Sequence, residues 1–342
     1  MLFRSGHQVI SVLHSPWVVM RNSTSVRSGA KSVAAVAIVA VTVAVGCRSR
    51  HDQGVFPAPT EARLLPQDLV SLPLYRRPFN SVDLDAAAKF LSPLDSDSVE
   101  MFEYRGGTYY HPVNLCNRCY SFLAAYGQTK DSTYLKRVEK SVGRLAALVR
   151  VEDSTAWVPY QFDFAVHGDS ANSMKAPWYS GMAQGEVLSI VMRLYELTED
   201  RQYLTFGRRL FNSLIELKQS GLPWVARLDS DGFYWIEEYP HDVRPDMTLN
   251  GFIVALFGVY DYYVVTGDER ARRVWDMSLT TLKHYLPQYL LDTGSYYCLG
   301  HKLIATATYH RFHISLLNYL YTMTGDRYFK IMAEAYEKAA SS

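Results

Sequence analysis

The chain has 342 residues, of which 48% are hydrophobic, and its formal net charge is only +1. This length and composition support one large globular domain or two ordinary ones, and so small a charge gives no electrostatic reason to expect a nucleic-acid partner. Tyrosine is the compositional outlier, with 25 copies. Its ring packs well between helices and also suits the faces of sugars, so both roles stay open.

Residues 1–47 are typical of an export signal. Basic residues precede the apolar run Val33–Gly46, which is too short for a comfortable transmembrane helix and has the length of a signal-peptide core. The run ends in Ala44-Val45-Gly46-Cys47, which resembles the lipobox of bacterial lipoproteins. We therefore predict that Cys47 is lipidated and tethers the exported protein to a membrane, in the periplasm or at the cell surface. A plain secretory signal or an uncleaved signal anchor is the alternative.

Residues 48–82 carry five prolines and little periodicity, which is the composition of a tether or of an extended wrap along a domain surface. A short amphipathic helix is predicted over Asp83–Leu91. We place the catalytic domain in residues 83–342.

The four cysteines predict neither a disulfide framework nor a zinc site. Cys116 and Cys119 form a single C-x-x-C in a helical stretch, and Cys298 stands alone. Zinc would need further ligands at workable spacing. We therefore interpret Cys116 and Cys119 as small core residues and expect no metal. We also expect no cofactor, since no glycine-rich dinucleotide fingerprint is present.

A repeat organises the rest of the chain. The pattern Tyr-x-x-Thr-x-Asp recurs four times, and its aspartates are 69, 68 and 58 residues apart: Asp131, Asp200, Asp268 and Asp326. An apolar segment precedes each copy and an amphipathic segment with helical spacing follows it. Because Asp is a good N-cap, each copy predicts a tight turn between two antiparallel helices.

Four such helical hairpins, each a mostly apolar helix followed by a half-polar one, predict an all-α fold. We expect an incomplete (α/α) toroid, in which the apolar helices form an inner ring and the others an outer ring. Turn-rich aromatic stretches join one hairpin to the next, at residues 156–166, 225–236 and 289–299. They predict short β-hairpins on a single rim. The threonines of the four turns should then lie at the opposite end.

Polar and aromatic clusters stand just before or at the start of each inner helix, so they should meet on that rim in a composite site. The second cluster begins at Trp178-Tyr179, and the third holds the adjacent carboxylates Glu237 and Glu238 at the exit of a predicted strand. Pro240 prevents ladder pairing beyond that strand. Taken alone, the two glutamates favour interpretation as a solvated strand end.

Four ordered motifs carry a resemblance to a known family: WYSGMAQGE, EEYP followed by LNGF, LPQYLLDTGS, and YHRFHI. Together they resemble the catalytic domain of D-glucuronyl C5-epimerase, which converts glucuronate to iduronate within heparosan and heparan sulfate. The resemblance runs from about Tyr109 to the C-terminus and implies an (α/α) barrel. It also implies acid/base or active-site roles for Glu238, Tyr239, Tyr297 and Tyr309.

The epimerisation chemistry extends this list to substrate-binding candidates. Removal of the C5 hydrogen builds negative charge on the uronate carboxylate, which cationic or hydrogen-bonding groups must stabilise. Two arginines that contact substrate carboxylates in the animal enzymes have no counterpart here. The candidates are Tyr110, Asn114, Trp178, Tyr179, Gln184, Glu237, Asn250, His301, Lys302, His310 and Arg311.

The predicted function is a polysaccharide uronyl C5-epimerase, with a uronate-containing polysaccharide as its partner. A uronate lyase or hydrolase is the alternative among enzymes, because a lyase shares the C5 deprotonation and then eliminates at C4. A non-catalytic lipoprotein that binds envelope polysaccharide is the alternative outside enzymes. Whether the chain forms a homodimer stays open.

Overall fold

The structure is a computed structural model that describes residues 62–90 and 92–340. The predicted export signal, including Cys47, lies outside the described residues. Nine α-helices dominate the described part: α1 (Leu84–Ala88), α2 (Pro112–Thr129), α3 (Ser132–Leu148), α4 (Gly181–Thr198), α5 (Arg201–Ser213), α6 (Leu249–Thr266), α7 (Glu269–Tyr289), α8 (Ala307–Thr324) and α9 (Arg327–Ala340).

The Tyr-x-x-Thr-x-Asp motif forms the same turn in all four hairpins, as predicted. In the third hairpin, Gly267 is left-handed and donates its N–H to the carbonyl of Tyr263. The Thr266 hydroxyl accepts the Asp268 N–H at 3.2 Å. The Asp268 carboxylate then caps the first turn of α7 through the Arg270 N–H at 2.9 Å. The Thr and Asp side chains of the motif thus satisfy backbone N–H groups where one helix ends and the next begins.

The four hairpins form an arc with inner and outer layers. The inner helices pack in the order α2, α4, α6 and α8, and each outer helix packs on the inner helix of its own hairpin. This confirms the (α/α) toroid architecture, with four hairpins in the described residues. Helix α6 is long and apolar enough to cross a membrane, but 78% of it is buried inside the protein. It is therefore the central core helix of the arc.

Glycines bring α4 and α6 into close contact. A Cβ on Gly185 would collide with the backbone of Ala255, and one on Gly258 would collide with the backbone of Gly185. The two helices therefore touch backbone to backbone, which only glycine permits at these positions.

Short antiparallel strands connect the hairpins. They are β1 (Phe102–Tyr104), β2 (Gly107–Tyr109), β3 (Arg150–Glu152), β4 (Thr155–Trp157), β5 (Pro159–Tyr160), β6 (Phe164–Ala165), β7 (Ser173–Met174), β8 (Trp178–Tyr179), β9 (Ala226–Leu228), β10 (Tyr234–Ile236), β11 (Leu290–Leu291), β12 (Gly294–Cys298) and β13 (Leu303–Ile304). The β9–β10 hairpin forms where the sequence predicts it. Residues 156–166 do not form their own hairpin, because β4 pairs back with β3, β5 with β8 and β6 with β7.

The segment before α1 packs along the helices and enters the arc. The Leu72 N–H donates to the hydroxyl of Tyr260 on α6 at 2.8 Å. The aromatic ring of Phe79 lies 5.0 Å from Tyr120 on α2 and 5.5 Å from Phe257 on α6. It also meets Tyr319 on α8 at 5.8 Å. One buried side chain therefore contacts three inner helices.

Candidate active site

The starts of the inner helices converge on Glu237–Tyr239, which directly follows β10. The Gly181 N–H, at the start of α4, donates to the Glu237 carbonyl at 2.9 Å. Near the start of α6, Gly251 lies so close to the Glu238 side chain that a Cβ would overlap it. The Tyr309 ring, in the first turn of α8, lies 4.9 Å from Tyr297 on β12. The starts of α4, α6 and α8 therefore meet on one rim, and the composite site there stays a prediction.

The four turn threonines end the inner helices, and each of those helices has 18 residues. At a rise of about 1.5 Å per residue, the turns lie roughly 27 Å along the helices from the site. The predicted separation of the turns from the rim that holds Glu238 and Tyr309 is therefore confirmed.

The adjacent glutamates have different roles in the structure. Glu237 is fully buried and forms a salt bridge with Arg227 of β9 at 2.8 Å. Its other carboxylate oxygen accepts the Met247 N–H at 2.9 Å. Because both oxygens have partners, Glu237 fixes the loop that follows β10 and is not free to bind substrate.

Glu238 is buried without such compensation. Its Oε2 atom has no hydrogen-bond partner among the described residues. Burial raises the pKa of Glu238 to about 8, against the lowering effect of hydrogen bonds from Tyr239 and Tyr297. A carboxyl group with this pKa can both accept and return a proton near neutral pH.

Three tyrosines surround this carboxyl group. Tyr239 stacks on Phe164, with ring centroids 5.8 Å apart, while Tyr297 and Tyr309 meet edge to face. Burial raises the pKa of Tyr309 to about 12 and the pKa values of Tyr239 and Tyr297 well above the ordinary value. All three phenols are therefore protonated at neutral pH and act first as hydrogen-bond donors.

An aromatic wall supports one side of the site. Trp178 stacks on Tyr160 with ring centroids 4.0 Å apart, and its Nε1–H donates to the Phe162 carbonyl at 2.9 Å. Tyr109, which the candidate list omits, packs against Phe162 at 5.2 Å.

Tyr110 and Tyr179 have other surroundings. The Tyr110 hydroxyl donates to Asp95 at 2.7 Å, and the Arg144 guanidinium of outer helix α3 lies over its ring. Tyr179 packs on Trp157, with ring centroids 5.5 Å apart. Successive side chains of an extended segment point to opposite sides. Tyr110 and Tyr179 therefore point away from the site, whereas their neighbours Tyr109 and Trp178 point toward it.

Gln184 and His310 serve the fold. The Gln184 amide accepts the Val158 N–H at 2.7 Å and donates to the Ala156 carbonyl at 2.8 Å. His310 is buried, with ring nitrogens 2.8 Å from the Ser295 hydroxyl and 2.9 Å from the Tyr336 carbonyl. Neither group is available to a substrate.

The remaining candidates divide by exposure. Lys302 and Arg311 are exposed, whereas Asn114 is half-buried at the start of α2. Asn250 is buried beside Gly251, and its Oδ1 has no hydrogen-bond partner in the described part of the chain. Asn250 is therefore the candidate amide best placed to receive a donor.

Sequence reasoning missed a cluster next to the tyrosines. The Asp246 carboxylate lies 2.7 Å from His167 Nε2 and 2.8 Å from His301 Nδ1. The Cys298 sulfur lies 3.5 Å from His167 Nε2. Burial alone would raise the pKa of Asp246, but hydrogen bonds to His167, Thr248 and His301 hold it below the ordinary value. Only Cys298 and His301 are close in sequence, so no short sequence motif predicts the cluster.

The motif WYSGMAQGE hides a second missed group, Glu186. This residue of α4 is fully buried, and neither carboxylate oxygen has a hydrogen-bond partner among the described residues. Burial and the neighbouring Glu238 raise the pKa of Glu186 well above the ordinary value. Burial therefore favours the uncharged form of Glu186.

A cavity of about 1120 Å³ lies apart from this chemistry. Its lining includes Lys218 before β9, Arg227 on β9 and Arg244 in the loop after β10. Neither Glu238 nor any of the three tyrosines lines it. Convergent reactive groups identify an active site better than size alone, so the residues around Glu238 are the stronger candidate active site.

Fold and site together define an α/α toroid protein with a cluster of a buried carboxyl group and tyrosines on one rim. A family model described as the C-terminus of D-glucuronyl C5-epimerase matches residues 152–338. The chain therefore belongs to the D-glucuronyl C5-epimerase C-terminal family.

Two relatives extend this finding. An uncharacterized protein of Methanocaldococcus jannaschii is 28% identical over 169 residues, which are 49% of this chain and 52% of that protein. A D-glucuronyl C5-epimerase of Caenorhabditis elegans is 29% identical over 161 residues, which are 42% of this chain and 26% of that protein. The chain thus matches about half of one relative and a quarter of the other.

Solved structures share only general architecture with this chain. Cellobiose 2-epimerase of Bacillus thermoamylovorans has a TM-score of 0.49 and 15% identity, covering 66% of this chain and 58% of that chain. An unsaturated glucuronyl hydrolase specific for heparin has a TM-score of 0.46 and 17% identity, covering 67% and 61%. Neither likeness bears on the activity of this protein.

Proposed function

We propose that the protein is a polysaccharide uronyl C5-epimerase, an isomerase that converts glucuronate to iduronate within a glycan chain. The observation that carries the proposal is the pairing of buried Glu238 with three protonated tyrosines. Membership of the epimerase family supports the same reaction. A uronate-containing polysaccharide is accordingly the proposed substrate.

Inversion at C5 needs one group on each face of the sugar ring. Glu238 has a pKa of about 8, so it can take the C5 proton in one direction of the reaction and return it in the other. Tyr309 enters the site from the start of α8 and is proposed to serve the opposite face. Tyr239 and Tyr297 lie beside Glu238 and would hold its charge by hydrogen bonding.

Deprotonation at C5 is favoured only if the carboxylate on the same carbon accepts the developing charge. The protonated phenols of Tyr239 and Tyr297 supply hydrogen-bond donors to Glu238, and the Asn250 amide near the start of α6 is the further donor that we propose. A half-turn of the Asn250 amide group would place its NH₂ where the unpartnered Oδ1 now lies, so that a donor replaces an acceptor. No redox cofactor enters this scheme, since no atom changes oxidation state.

The test is epimerisation in deuterated water. Heparosan and a panel of other uronate polymers are incubated with the full chain, and deuterium at C5 and the iduronate fraction are read by NMR. We expect both signals from at least one polymer. Elimination would instead give an unsaturated product that absorbs ultraviolet light, and that outcome would replace the epimerase with a lyase.

Two variants test the assigned groups. Glu238→Gln and Tyr309→Phe keep shape and each remove one proton-transfer group, so each should lower epimerisation by roughly two to four orders of magnitude. At least one of them should retain more deuterium exchange than inversion, because one ring face keeps its base. Glu199→Gln and Tyr321→Phe, at the opposite ends of α4 and α8, are the matched controls and should leave the rate unchanged. Near-normal inversion by both site variants would show that the assignment is wrong.

A further inference from the structure

We propose that His167, Asp246, Cys298 and His301 form a binding site for a divalent transition-metal ion of the zinc class. One donor atom of each residue lies within 4.8 Å of all the others. This site goes beyond the proposed epimerisation, which names no metal. It belongs to the described part of the chain and draws its ligands from three separate connecting segments.

The donor set defines the ion. Two imidazoles, one carboxylate and one thiol give the nitrogen, oxygen and sulfur set that tetrahedral zinc sites use, whereas magnesium and calcium prefer oxygen alone. Donor atoms around tetrahedral zinc lie about 3.4 Å apart. The separations of 2.7, 2.8 and 3.5 Å would widen by less than about 1 Å around an ion, and any wider separations, which are at most 4.8 Å, would close.

Burial supports a built site rather than a chance meeting of surface groups. The Asp246 side chain is only 1% exposed, and those of His167 and His301 are 14% and 20% exposed. Cys298 is buried at the end of β12. A buried carboxylate is costly unless charged or hydrogen-bonding groups compensate it, and the partly open histidines leave a route for an ion to enter.

Groups around the cluster orient its donors. The Thr248 hydroxyl donates to Asp246 Oδ2, which leaves Oδ1 to face the histidines. Asn172 lies 3.3 Å from His301 Nε2 through its amide nitrogen, while its buried Oδ1 has no hydrogen-bond partner among the described residues. A half-turn of this amide lets Oδ1 accept the Nε2–H, and that tautomer frees His301 Nδ1 to bind metal. Such outer partners are usual for metal-binding histidines.

The site borders the catalytic tyrosines. The His167 ring lies 5.7 Å from Tyr297 and 6.0 Å from Tyr239. A bound ion would therefore lock together the segments that carry these tyrosines. On the condition that the proposed function is correct, it would also add positive charge near the uronate carboxylate, where the sequence lacks an arginine.

The experiment measures metal binding directly. The full chain is stripped with chelator and titrated with Zn²⁺ by calorimetry and with Co²⁺ by absorption spectroscopy. We expect one ion per chain, a thiolate-to-cobalt charge-transfer band, and visible bands of tetrahedral intensity. Zn²⁺ should also raise the unfolding temperature. Absence of stoichiometric binding would overturn the proposal.

Variants assign the ligands. Cys298→Ser should abolish the charge-transfer band, and the partly exposed His301→Asn should weaken Zn²⁺ binding at least tenfold and remove the thermal shift. Asn172→Ala should weaken binding roughly tenfold through the outer shell. Cys119→Ser, buried on α2, is the matched control and should keep the band. A charge-transfer band that survives in Cys298→Ser would overturn the assignment of the ligands. Histidines outside the described residues are present in every variant, so they cannot explain a difference between variants.

Activity is a separate measurement. If metal-free protein loses epimerisation and regains it with Zn²⁺, the ion also serves the reaction. If stoichiometric binding occurs but no polymer is epimerised under any condition, the proposed function fails while the metal site stands. If the protein epimerises a polymer but binds no metal ion in the titration, the metal site fails while the proposed function stands.

Discussion

Glu238 and Glu186 are two buried carboxyl groups that the surrounding protein leaves without full compensation. Natural cores seldom retain such groups unless they have a task, because an unpartnered buried polar group costs about 1–3 kcal/mol. For Glu238 we propose such a task, proton transfer at the rim. Glu186 lies deeper on α4 and interacts electrostatically with Glu238.

We therefore predict that Glu186→Met stabilises the protein. Methionine has a similar length and no polar atom to satisfy, so the free energy of unfolding in urea should rise by about 1–3 kcal/mol. Glu199→Gln, at the exposed end of α4, should change it by less than about 0.5 kcal/mol. A clear loss of stability in Glu186→Met would mean that this carboxyl group has a partner in the folded protein.

The second residue-scale prediction concerns pH. The pKa of Glu238 is raised to about 8 in the folded protein, against about 4.3 in an unfolded chain. Its contribution to stability is therefore complete below about pH 4.3 and is lost as pH rises toward 8, at up to about 1.4 kcal/mol per pH unit. The free energies of unfolding of the parent and of Glu238→Gln, measured with denaturant, should diverge across this window. The value for the parent should fall relative to that of the variant as pH rises. Parallel curves would contradict the raised pKa.

Residue identity in the site was only partly predictable from sequence. Glu238, Tyr297 and Tyr309 come together as the motifs imply. Tyr110 and Gln184 do not, because the direction of one side chain in a short strand, or the reach of one amide to a neighbouring loop, depends on tertiary packing. The ligands of the proposed metal site come together only because three connecting segments pack against one another. The hydrophobic periodicity of the sequence does not predict how such segments pack.

At the scale of elements, the turn motif made the helical hairpins predictable. Each copy forms hydrogen bonds to nearby backbone groups with its own residues, as Thr266 and Asp268 do. The residues that determine the turn therefore lie within a few positions of one another in the sequence. The connecting strands pair across longer stretches. Residues 156–166 pair with β3, β7 and β8 instead of with themselves, which local sequence cannot specify.

The contact of α4 with α6 gives the third prediction. Gly258→Ala places a Cβ against the backbone of Gly185, so the helices must separate and core contacts are lost. We expect the free energy of unfolding to fall by about 2–4 kcal/mol. Gly127→Ala on α2 is the matched control, since nothing lies within 4 Å of its added Cβ, and it should be neutral or stabilising by up to about 1 kcal/mol. Equal behaviour of the two variants would refute the close packing.

At the scale of the whole molecule, the sequence predicts a lipid anchor at Cys47. Cys47 lies outside the described residues, so its role remains a prediction from the sequence Ala44-Val45-Gly46-Cys47. Cys47→Ser should abolish lipid labelling and release the protein from membranes. Release without any labelling of the parent chain would favour an ordinary signal peptide, and retained membrane binding would favour a signal anchor.

The segment before α1 is the part of the molecule that ties the helical arc together. Its Arg77 forms ion pairs with Glu196 of α4 and Asp261 of α6, and the Pro78 carbonyl accepts a hydrogen bond from Arg193 of α4 at 3.0 Å. Together with Phe79, these contacts link the segment to all four inner helices. An incomplete toroid lacks the neighbours that a closed ring would supply, so an inserted segment can bury the inner faces instead.

Phe79→Ala tests this account of the whole molecule. The side chain is 4% exposed, and its removal leaves a cavity between inner helices, so we expect the free energy of unfolding to fall by about 3–5 kcal/mol. Phe90→Ala is the matched control, because Phe90 is 43% exposed beyond α1 and should cost less than about 1 kcal/mol. Chemical denaturation followed by both fluorescence and circular dichroism would measure the two losses and show whether the arc still unfolds in one step. If Phe79→Ala costs no more than Phe90→Ala, the inserted segment only covers the arc, and the inner helices hold together without it.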